Sequence, residues 1–410
     1  MALTPVAEAL RRIVADATPA GQEAVTLDEA DGRILAVSLA ARRDQPPADM
    51  SAMDGYAIRH ASLSSLPATL HVIDEAAAGH AANRIVGEMQ AIRIFTGAPL
   101  PEGTDTIVIQ ENCTREGDTI IIDEPQPAGR HIRRRGIDFH AGQTLLPAGR
   151  RLGPRDLSLA AAMGHGTVAC RPRPRVAIFS TGDELVRAGE EAGPSQIVAS
   201  NAYGIAALVR RAGGQVIDLG IVRDSPEALA QAIESSRRAE ADVLVTLGGA
   251  SVGDHDLVGP ALIAAGAEMD FWKIAMRPGK PLMSARLGAM RILGLPGNPV
   301  SALVCARIFL LPLVAALSGI DATGYSRRHK AFLGHELPEN DQREDYMRAT
   351  LAAGESGFVA TAFSSQDSSM LSTLASADIL IVRPPFAPSA AAGTTCEFIY
   401  LDIFAGSPNP

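Results

Sequence analysis

The sequence predicts a multidomain protein of α/β and β structure. It has a three-layer α/β domain with a mostly parallel sheet, a β-rich inserted domain before it and a small C-terminal β-barrel. Two patterns support this fold class. Apolar strands alternate with helical segments from Arg175 to about Ser326, and short strands separated by glycine and proline turns lie on either side. The length of 410 residues is sufficient for several cores.

The predicted domains are 1–42 together with 140–173, then 43–139, 174–323 and 324–410. The first begins with a helix in which Thr4 is the cap and Pro5 the first residue. Longer segments rich in alanine and leucine return between Thr144 and Ala169, so this helical linker domain is predicted to be discontinuous. The β-rich domain inserted into it has four predicted strands: Thr69–Ile73, Met89–Phe95, Asp105–Gln110 and Thr119–Ile122.

The α/β domain is predicted from regular alternation. Its strands are Val176–Ser180, Val216–Val222, Val243–Leu247, Glu268–Ile274, Leu282–Ala285 and Met290–Leu295. Its helices are Asn201–Ala212, Pro226–Ala239 and the segment after Pro299. The barrel strands are Tyr346–Leu351, Phe358–Phe363, Ile379–Val382 and Thr395–Ile403. Ligands of such α/β sheets bind outside the carboxyl ends of the strands, so a site is expected there.

Charge and cysteine content exclude several classes of protein. A net charge of −9 argues against a general nucleic-acid or membrane-surface binder, because both need a basic face. The basic run Arg130–Arg135 is interpreted as a solvated charged loop in preference to a phosphate contact. The four cysteines are far apart in sequence, which argues against disulfides and a thiolate metal site and predicts a cytoplasmic protein. The apolar stretch Val300–Leu317 contains Arg307 and Pro312, so we predict a buried core helix and no membrane span.

The segment Arg291–Ser301 predicts an anion site. A buried strand is followed by the breaker Pro296-Gly297, and Pro299 suits the first turn of a helix that Asn298 can cap. Free backbone N–H groups at a helix N-terminus attract phosphate or another oxyanion. Just upstream, Lys273, Arg277 and Lys280 can act on one anion, because Pro278 and Pro281 stiffen their loop.

Polar residues follow three other predicted strands. Ser180-Thr-Gly-Asp-Glu184 offers hydroxyls and carboxylates, although a capped turn before a helix explains the same residues. Gly248 and Gly249 let a ligand approach the backbone, with Ser251 and the acids Asp254 and Asp256 close behind. Asp224 and Asp256 can share Mg²⁺, which prefers carboxylate oxygens together with substrate phosphates.

Two further strings, Ser51–Ala57 and Phe95–Pro99, are interpreted first as turns. Asp54-Gly55 suits a hairpin entry, and glycine and proline mark the second string as a turn. Physical chemistry alone assigns neither of them a function.

These strings, in this order, resemble the molybdopterin molybdenumtransferases, the MoeA family, which is related to the C-terminal domain of gephyrin. The resemblance covers nearly the whole chain and also includes Arg133–Asp138. It implies a four-domain homodimer whose α/β domain binds a pterin nucleotide. The implied reaction inserts molybdenum from molybdate into adenylylated molybdopterin and releases AMP, with Mg²⁺ as cofactor.

The resemblance also implies roles for individual residues. Asp54, Glu184, Asp224, Asp256 and Lys280 would be catalytic, and Asp224 and Asp256 would hold the metal. The substrate-binding residues would be Thr96, Asp138, Ser180, Thr181, Gly248, Gly249, Ser251, Lys273, Arg277, Pro296, Gly297, Asn298, Ser301, Arg348 and Ser368. In a dimer, Asp54, Thr96 and Asp138 would face the partner's α/β domain. Arg277 departs from the family pattern, since many relatives have lysine there, and this should change the geometry of anion binding.

Two other functions compete with this one. A molybdopterin adenylyltransferase would need only the α/β domain, and the four domains argue against it. A non-catalytic molybdopterin-binding scaffold would keep the fold without the acids and Lys280 at the motif positions. As an enzyme, the chain is expected to work with such an adenylyltransferase and with recipient molybdoenzymes, and with neither nucleic acid nor membrane.

Overall fold

The computed structural model describes residues 3–249 and 257–402, so Ser251, Asp254 and Asp256 lie outside the described residues. The chain folds into two compact units. The first contains Met1–Glu23, Gly32–Ala36 and Arg171–Pro410, and the second contains Ala24–Asp31 and Val37–Cys170.

The first unit begins with helix α1 (Val6–Val14), whose apolar face is buried. The predicted cap is wrong, because Pro5 occupies the N-cap position and no side chain caps the helix. Thr4 instead forms a parallel bridge with Ile274, and its backbone N–H donates to the Lys273 carbonyl at 3.0 Å. The backbone N–H of Thr4 is therefore hydrogen-bonded to a segment that is distant in sequence.

Most of the secondary-structure elements between Glu23 and Cys170 are short strands. They include β1 (Glu23–Thr26), β2 (Leu39–Ala40), β3 (Met50–Ser51), β4 (Gly55–Ile58), β5 (Ala68–Ala76), β6 (Gln90–Ile94), β7 (Thr106–Ile109), β8 (Thr114–Glu116), β9 (Thr119–Ile122), β10 (Ile132–Arg133), β11 (Thr144–Leu146), α2 (Pro154–Ala162) and β12 (Thr167–Cys170). Six of them form one sheet in the order β7-β4-β6-β5-β9-β8. The four strands predicted in this region are confirmed within a few residues at their ends.

The central strand β4 of that sheet is buried on both faces. Tyr56 and Ile58 pack into one hydrophobic cluster, and Ala57 packs into another. The ranges 1–42 and 140–173 hold α1, α2 and the short strands β1, β2, β11 and β12. Their grouping into one domain stays a prediction.

The three-layer α/β domain has a six-stranded sheet. Its elements are β13 (Arg175–Thr181), β14 (Leu185–Val186), β15 (Ile197–Val198), α3 (Ser200–Arg211), β16 (Gln215–Val222), α4 (Pro226–Arg238), β17 (Val243–Leu247), α5 (Val258–Ala264), β18 (Glu268–Phe271), β19 (Met276–Arg277), β20 (Met283–Leu287) and β21 (Met290–Leu295). The sheet order is β16-β13-β17-β21-β20-β18, in which the first four strands are parallel. The predicted fold class is confirmed, since separate hydrophobic clusters cover the two faces of this sheet.

A long apolar helix follows β21. It consists of α6 (Pro299–Cys305), a π-helical stretch Ala306–Leu310 and α7 (Leu311–Leu317). By length and hydropathy it qualifies as a membrane span, but 83% of its most apolar window is buried inside the protein, as in a core helix. The wide π turn precedes Pro312, whose ring and missing N–H interrupt regular α-helical bonding.

The C-terminal region forms a closed five-stranded barrel, as predicted. Its elements are β22 (His329–Leu333), β23 (Glu344–Gly354), β24 (Gly357–Ala362), α8 (Leu371–Ala375), β25 (Ile379–Arg383) and β26 (Thr395–Tyr400). The order β23-β24-β22-β26-β25 closes because β25 also pairs with β23. The short strand β19 pairs in parallel with the start of β23, which connects the barrel to the Arg277–Pro281 loop.

Candidate functional site

A cavity of about 1230 Å³, called the main cavity below, lies at the carboxyl ends of the parallel strands. This is the edge of the sheet that the sequence predicts to bind ligands. The predicted site residues that line it are Ser180, Thr181, Glu184, Asp224, Gly248, Gly249, Arg277, Lys280, Pro296, Gly297, Asn298, Ser301 and Ser368. Lys273 and Arg348 are not among the lining residues, and Asp54, Thr96 and Asp138 belong to the second unit.

Two acids of the main cavity, Glu184 and Asp224, lie after β13 and β16. The Thr181 hydroxyl donates to a carboxylate oxygen of Asp224, and the backbone N–H of Asp224 donates to Asp183 Oδ1 at 3.4 Å. The Glu184 carboxylate folds back over Gly182, where a Cβ would lie 2.5 Å from Glu184 Oε2. Gly182 has φ +151°, a backbone conformation that residues with a Cβ rarely adopt, so the backbone favours glycine there.

Within the described residues, no three histidine, cysteine, aspartate or glutamate side chains cluster so as to hold a metal ion. The donor set nevertheless suits Mg²⁺, because Asp224 is an exposed carboxylate beside two hydroxyl residues, and Mg²⁺ needs only one or two protein carboxylates. The second predicted metal ligand, Asp256, lies outside the described residues.

The glycine pair after β17 is required by packing within the protein. A Cβ on Gly248 would lie 2.7 Å from the Thr181 carbonyl oxygen, and one on Gly249 would lie 2.2 Å from Val258 Cγ2. Both glycines have positive φ, +92° and +61°. The turns after β13 and β17 therefore contact each other directly, which gives this pair a second role beside the predicted ligand approach.

The predicted anion site at the start of α6 is partly occupied by the protein itself. Asn298 is at the N-cap position but forms no cap, and its side-chain amide donates to Ser368 Oγ at 2.8 Å. The Val300 N–H donates to the Ser368 carbonyl at 3.1 Å, and Pro299 has no N–H. The prediction of free N–H groups is thus wrong for Val300, whose N–H is bonded to a loop of the barrel.

The three predicted cations differ in their partners. Arg277 donates to the buried carboxylate of Asp345 and lies 3.9 Å from Asp341, and the bond to Asp345 raises the pKa of the guanidinium. Lys280 is exposed and has no ion pair or hydrogen bond from its side chain among residues 3–249 and 257–402. Lys273 is held through its backbone by Thr4 and does not reach the cavity lining. The prediction that all three act on one anion is therefore not reproduced, and Lys280 is the cation whose charge is available.

The barrel contributes one wall of the main cavity, formed by Gln366–Ser369. Behind it lies Arg348, which is 1% exposed and donates to Gln366 Oε1 at 3.1 Å and to the Asp367 carbonyl at 2.9 Å. Its Nη2 atom is buried and has no hydrogen-bond partner within the part of the chain that is described. Burial lowers the pKa of Arg348. Arg348 thus supports this wall from behind and does not line the cavity.

Sequence reasoning missed some of the lining residues. Asn201 donates from its side chain to the Gly297 carbonyl at 2.7 Å, and Asp367 accepts from both the backbone and the hydroxyl of Ser369. The Asp-Ser-Ser string at 367–369 is a recognisable side-chain turn signal, which makes it the one usable clue. No signal in the sequence around Asn201 indicates that it lines the main cavity.

In the second unit, Asp54 and Thr96 form a fixed pair. Asp54 Oδ1 accepts from the Thr96 N–H and hydroxyl, each at 2.7 Å, and the backbone bond is the main cause of the lowered pKa of Asp54. The hairpin interpretation of Asp54-Gly55 is wrong, because β4 pairs with β6 and β7 and not with β3. The turn predicted at Phe95–Pro99 is confirmed by the bond from the Ala98 N–H to the Phe95 carbonyl at 3.0 Å.

Asp138 and most of the basic run Arg130–Arg135 are exposed. Asp138 is exposed, and its backbone N–H donates to the Gln45 carbonyl at 3.0 Å. In the basic run, Arg134 pairs with Asp49 at 2.6 Å and Arg135 pairs with Asp44. The interpretation of this run as a solvated charged loop is only partly correct, because Ile132–Arg133 forms strand β10, which pairs with β3.

Three family models match successive parts of the chain. Residues 4–164 match the MoeA N-terminal region (domain I and II), residues 177–316 match a domain described as "Probable molybdopterin binding domain", and residues 330–401 match the MoeA C-terminal region (domain IV).

Curated relatives and solved structures agree with these matches. The molybdopterin molybdenumtransferase of Nostoc is 41% identical over 80% of this chain and 77% of its own length, and that of Haemophilus influenzae is 34% identical over 92% and 93%. A crystal structure of the molybdopterin biosynthesis MoeA protein of Pyrococcus horikoshii has a TM-score of 0.85 at 28% identity and covers 98% of this chain and 100% of that one. The chain belongs to the MoeA family, the molybdopterin molybdenumtransferases.

Proposed function

We propose that this chain is an enzyme that transfers molybdenum from molybdate to adenylylated molybdopterin and releases AMP. The observation that carries the proposal is the main cavity, where Lys280, three hydroxyl residues and the Thr181–Asp224 pair come together at the strand ends. Both substrates are anions, since molybdate is a dianion and the adenylylated pterin contains a diphosphate. A volume of about 1230 Å³ exceeds what a drug-sized ligand needs, so there is room for both.

Lys280 is the proposed principal anion-binding cation. Its ammonium is not neutralised by a neighbouring acid among the described residues, whereas the charge of Arg277 is opposed by Asp345 and Asp341. The hydroxyls of Ser180, Ser301 and Ser368 line the same cavity and can donate to oxyanion oxygens. A preorganised cation and donors stabilise charge that builds up as the phosphoanhydride breaks.

Arg348 is proposed to act at the same anion from behind the barrel wall. A buried guanidinium nitrogen without a partner is uncommon in proteins. The residues that hold Arg348, Gln366 and Asp367, are themselves cavity residues. A shift of that loop on substrate binding would give the free nitrogen an acceptor.

Mg²⁺ is the proposed cofactor, held by Asp224 and Asp256 with the remaining positions filled by water and phosphate oxygens. When bound, the ion would polarise the phosphoanhydride. The Thr181 hydroxyl fixes one oxygen of Asp224, which leaves the other oxygen for the ion. Glu184 and Lys280 are the further proposed catalytic groups of this unit.

The remaining expectations follow from the family resemblance. They are a cytoplasmic homodimer, the action of Asp54, Thr96 and Asp138 at the partner copy's α/β domain, and exchange with a molybdopterin adenylyltransferase and recipient molybdoenzymes. The low pKa of Asp54 keeps this carboxylate ionised, as a charged role at a site would require.

The test is molybdate-dependent release of AMP from adenylylated molybdopterin with Mg²⁺, comparing the wild type with Asp224→Asn. Glu227→Gln is the matched control, because Glu227 is an exposed acid at the start of α4 and does not line the main cavity. We expect release by the wild type and the control and a loss of about 100-fold or more in Asp224→Asn, since essential electrostatic groups contribute on this scale. Intact pterin binding without release would contradict the proposal and leave a scaffold, and ATP consumption would indicate an adenylyltransferase.

A further inference from the structure

Arg93 connects three segments of the second unit that meet around the Asp54–Thr96 pair. It lies in β6, the strand that leads to Thr96. Its Nη1 donates to the carbonyl of Gly55, the residue after Asp54, at 3.2 Å. Its Nη2 donates at 2.7 Å to Oε1 of Gln110, which directly follows β7. One guanidinium group thus joins β6, the start of β4 and the end of β7.

Two aromatic rings restrict the same guanidinium group. Arg93 Cζ lies 5.1 Å from the ring centre of Tyr56, its cross-strand neighbour in β4, and 4.7 Å from that of Phe95. Phe95 immediately precedes Thr96. Cation–π contacts are attractive, and a planar guanidinium can stack on rings while its edge donates hydrogen bonds. The guanidinium of Arg93 is therefore held by rings and by acceptors together.

The segments that Arg93 joins also hold Asp54 directly. The backbone N–H of Gln110 donates to the Asp54 carbonyl at 3.2 Å, so Gln110 binds Arg93 with its side chain and Asp54 with its backbone. Thr96 donates both of its hydrogen bonds to Oδ1 of Asp54, and Oδ2 accepts none among residues 3–249 and 257–402. This arrangement leaves one carboxylate oxygen of Asp54 open to a hydrogen-bond donor on a ligand.

We propose that Arg93 is a positioning residue that fixes the Asp54–Thr96 pair, so that Asp54 Oδ1 stays bonded to Thr96 and Oδ2 stays open to the substrate. The proposal rests on the proposed function, because it takes Asp54 to act in the transferase reaction. The electrostatics agree with this geometry. The Thr96 N–H lowers the pKa of Asp54 most, the Thr96 hydroxyl follows, and the positive charge of Arg93 also contributes. If the contacts of Arg93 loosen, the bonds from Thr96 weaken and the pKa of Asp54 rises toward its ordinary value.

The test follows the NMR signal of the Thr96 amide, in protein isotopically labelled at threonine, while pH titrates the Asp54 carboxylate that accepts its bond. Arg93→Lys keeps the positive charge but loses the planar paired donors, so it separates position from charge. We expect a higher titration midpoint in Arg93→Lys than in the wild type. Arg59→Lys is the matched control and should leave the midpoint unchanged. Arg59 is exposed, and its side chain forms no hydrogen bond or ion pair within the described part of the chain.

Gln110→Ala is a second variant that leaves Arg93 itself unchanged. It removes only the acceptor of Arg93 Nη2, and Gln110 is exposed, so we expect the fold to tolerate it. The midpoint should rise less than in Arg93→Lys, because the bond to Gly55 remains. A wild-type midpoint in both variants would overturn the proposal. If Arg93→Lys does not fold, Gln110→Ala decides alone.

Kinetics then test whether Arg93 acts through Asp54. Arg93→Lys should lower kcat about tenfold in the otherwise wild-type enzyme, since misplacement of a catalytic group by about 1 Å can cost more than this. In the Asp54→Asn background the same substitution should cause no further loss. An equal loss in both backgrounds would show a role unrelated to Asp54 and would overturn the proposal. The titration needs no turnover, so an inactive wild type would count against the proposed function alone.

Discussion

The main cavity has two walls that are constructed in different ways. The α/β wall is made of turns that directly follow β13, β17 and β21. Glycines with positive φ lie in the turns after β13 and β17, and Gly248 packs against the Thr181 carbonyl. The barrel wall, Gln366–Ser369, is held by the buried Arg348 and by hydrogen bonds from Asn298 and Val300. Local backbone chemistry thus determines the first wall, and contacts between residues distant in sequence determine the second.

This difference predicts that the two walls fail for different reasons. A substitution in the α/β wall should act by steric strain at one turn. A substitution in the barrel wall should act by leaving buried polar groups without partners. The three variants below test this contrast, in order of decreasing expected effect.

Arg348→Met should have the largest effect, because it removes the two charge-assisted hydrogen bonds that hold the barrel wall, to Gln366 Oε1 and to the Asp367 carbonyl. Gln366 Oε1 keeps the backbone N–H of residue 348, and the Asp367 carbonyl loses its donor. We expect a loss of about 3 kcal/mol in the free energy of unfolding, the upper part of the range for a hydrogen bond to a charged group. Urea unfolding measures this, with Arg327→Met as control, since Arg327 is exposed. Equal stability of the two variants would show that Arg348 does not support the wall.

Gly248→Ala should come next, because its Cβ would lie 2.7 Å from the Thr181 carbonyl oxygen and φ is +92°. We expect a loss of about 2 kcal/mol, above the roughly 1 kcal/mol of an unfavourable φ alone. Gly288→Ala separates the two causes, since Gly288 has φ +61° and nothing within 4 Å of its Cβ position. Thermal unfolding should show a larger drop in Tm for Gly248→Ala, and equal drops would exclude the contact with Thr181.

Ser369→Ala should have the smallest effect, and it should depend on pH. The Ser369 hydroxyl is the first cause of the lowered pKa of Asp367, and the Ser369 N–H is the second. Removing the hydroxyl should move the pKa of Asp367 part of the way back to its ordinary value, as NMR titration can measure. A lowered carboxyl pKa stabilises the fold above the unfolded-state pKa, and this stability is lost as pH falls through the folded-state pKa. The variant should therefore be less stable than the wild type at neutral pH and equally stable in acid. A difference in stability that does not change with pH would contradict the assignment to Asp367.

The same contrast explains which features the sequence predicts. The strands of the α/β sheet, the glycine pair at 248–249 and the cavity at the strand ends all follow from local patterns of apolar residues and turns. The pairing of Arg277 with Asp345 does not, because 68 residues separate the two and neither carries a local signal for the other. For the same reason, the sequence predicts a free charge at Arg277, which the fold pairs with Asp345, whereas Lys280 lines the main cavity without an ion pair among the described residues.

The helix after Asn298 shows a related limit. Its residues predict a capped N-terminus with free N–H groups, which is correct for an isolated helix. In the fold, the Val300 N–H donates to the Ser368 carbonyl, and the Asn298 side-chain amide donates to the Ser368 hydroxyl oxygen. Competition between a local cap and a distant loop is decided by tertiary packing, which sequence periodicity does not contain.

The π turn of the long helix has a consequence for how the protein can be divided. It contains Arg307, whose buried guanidinium donates to the carbonyls of Tyr400 in the last barrel strand and of Tyr325. The other end of the same helix carries Ser301 at the main cavity. A chain truncated before Tyr400 would lose an acceptor of Arg307 within the helix that leads to the cavity. The barrel is therefore not a detachable module, and limited proteolysis or gene fusion at its border should disturb the α/β domain as well.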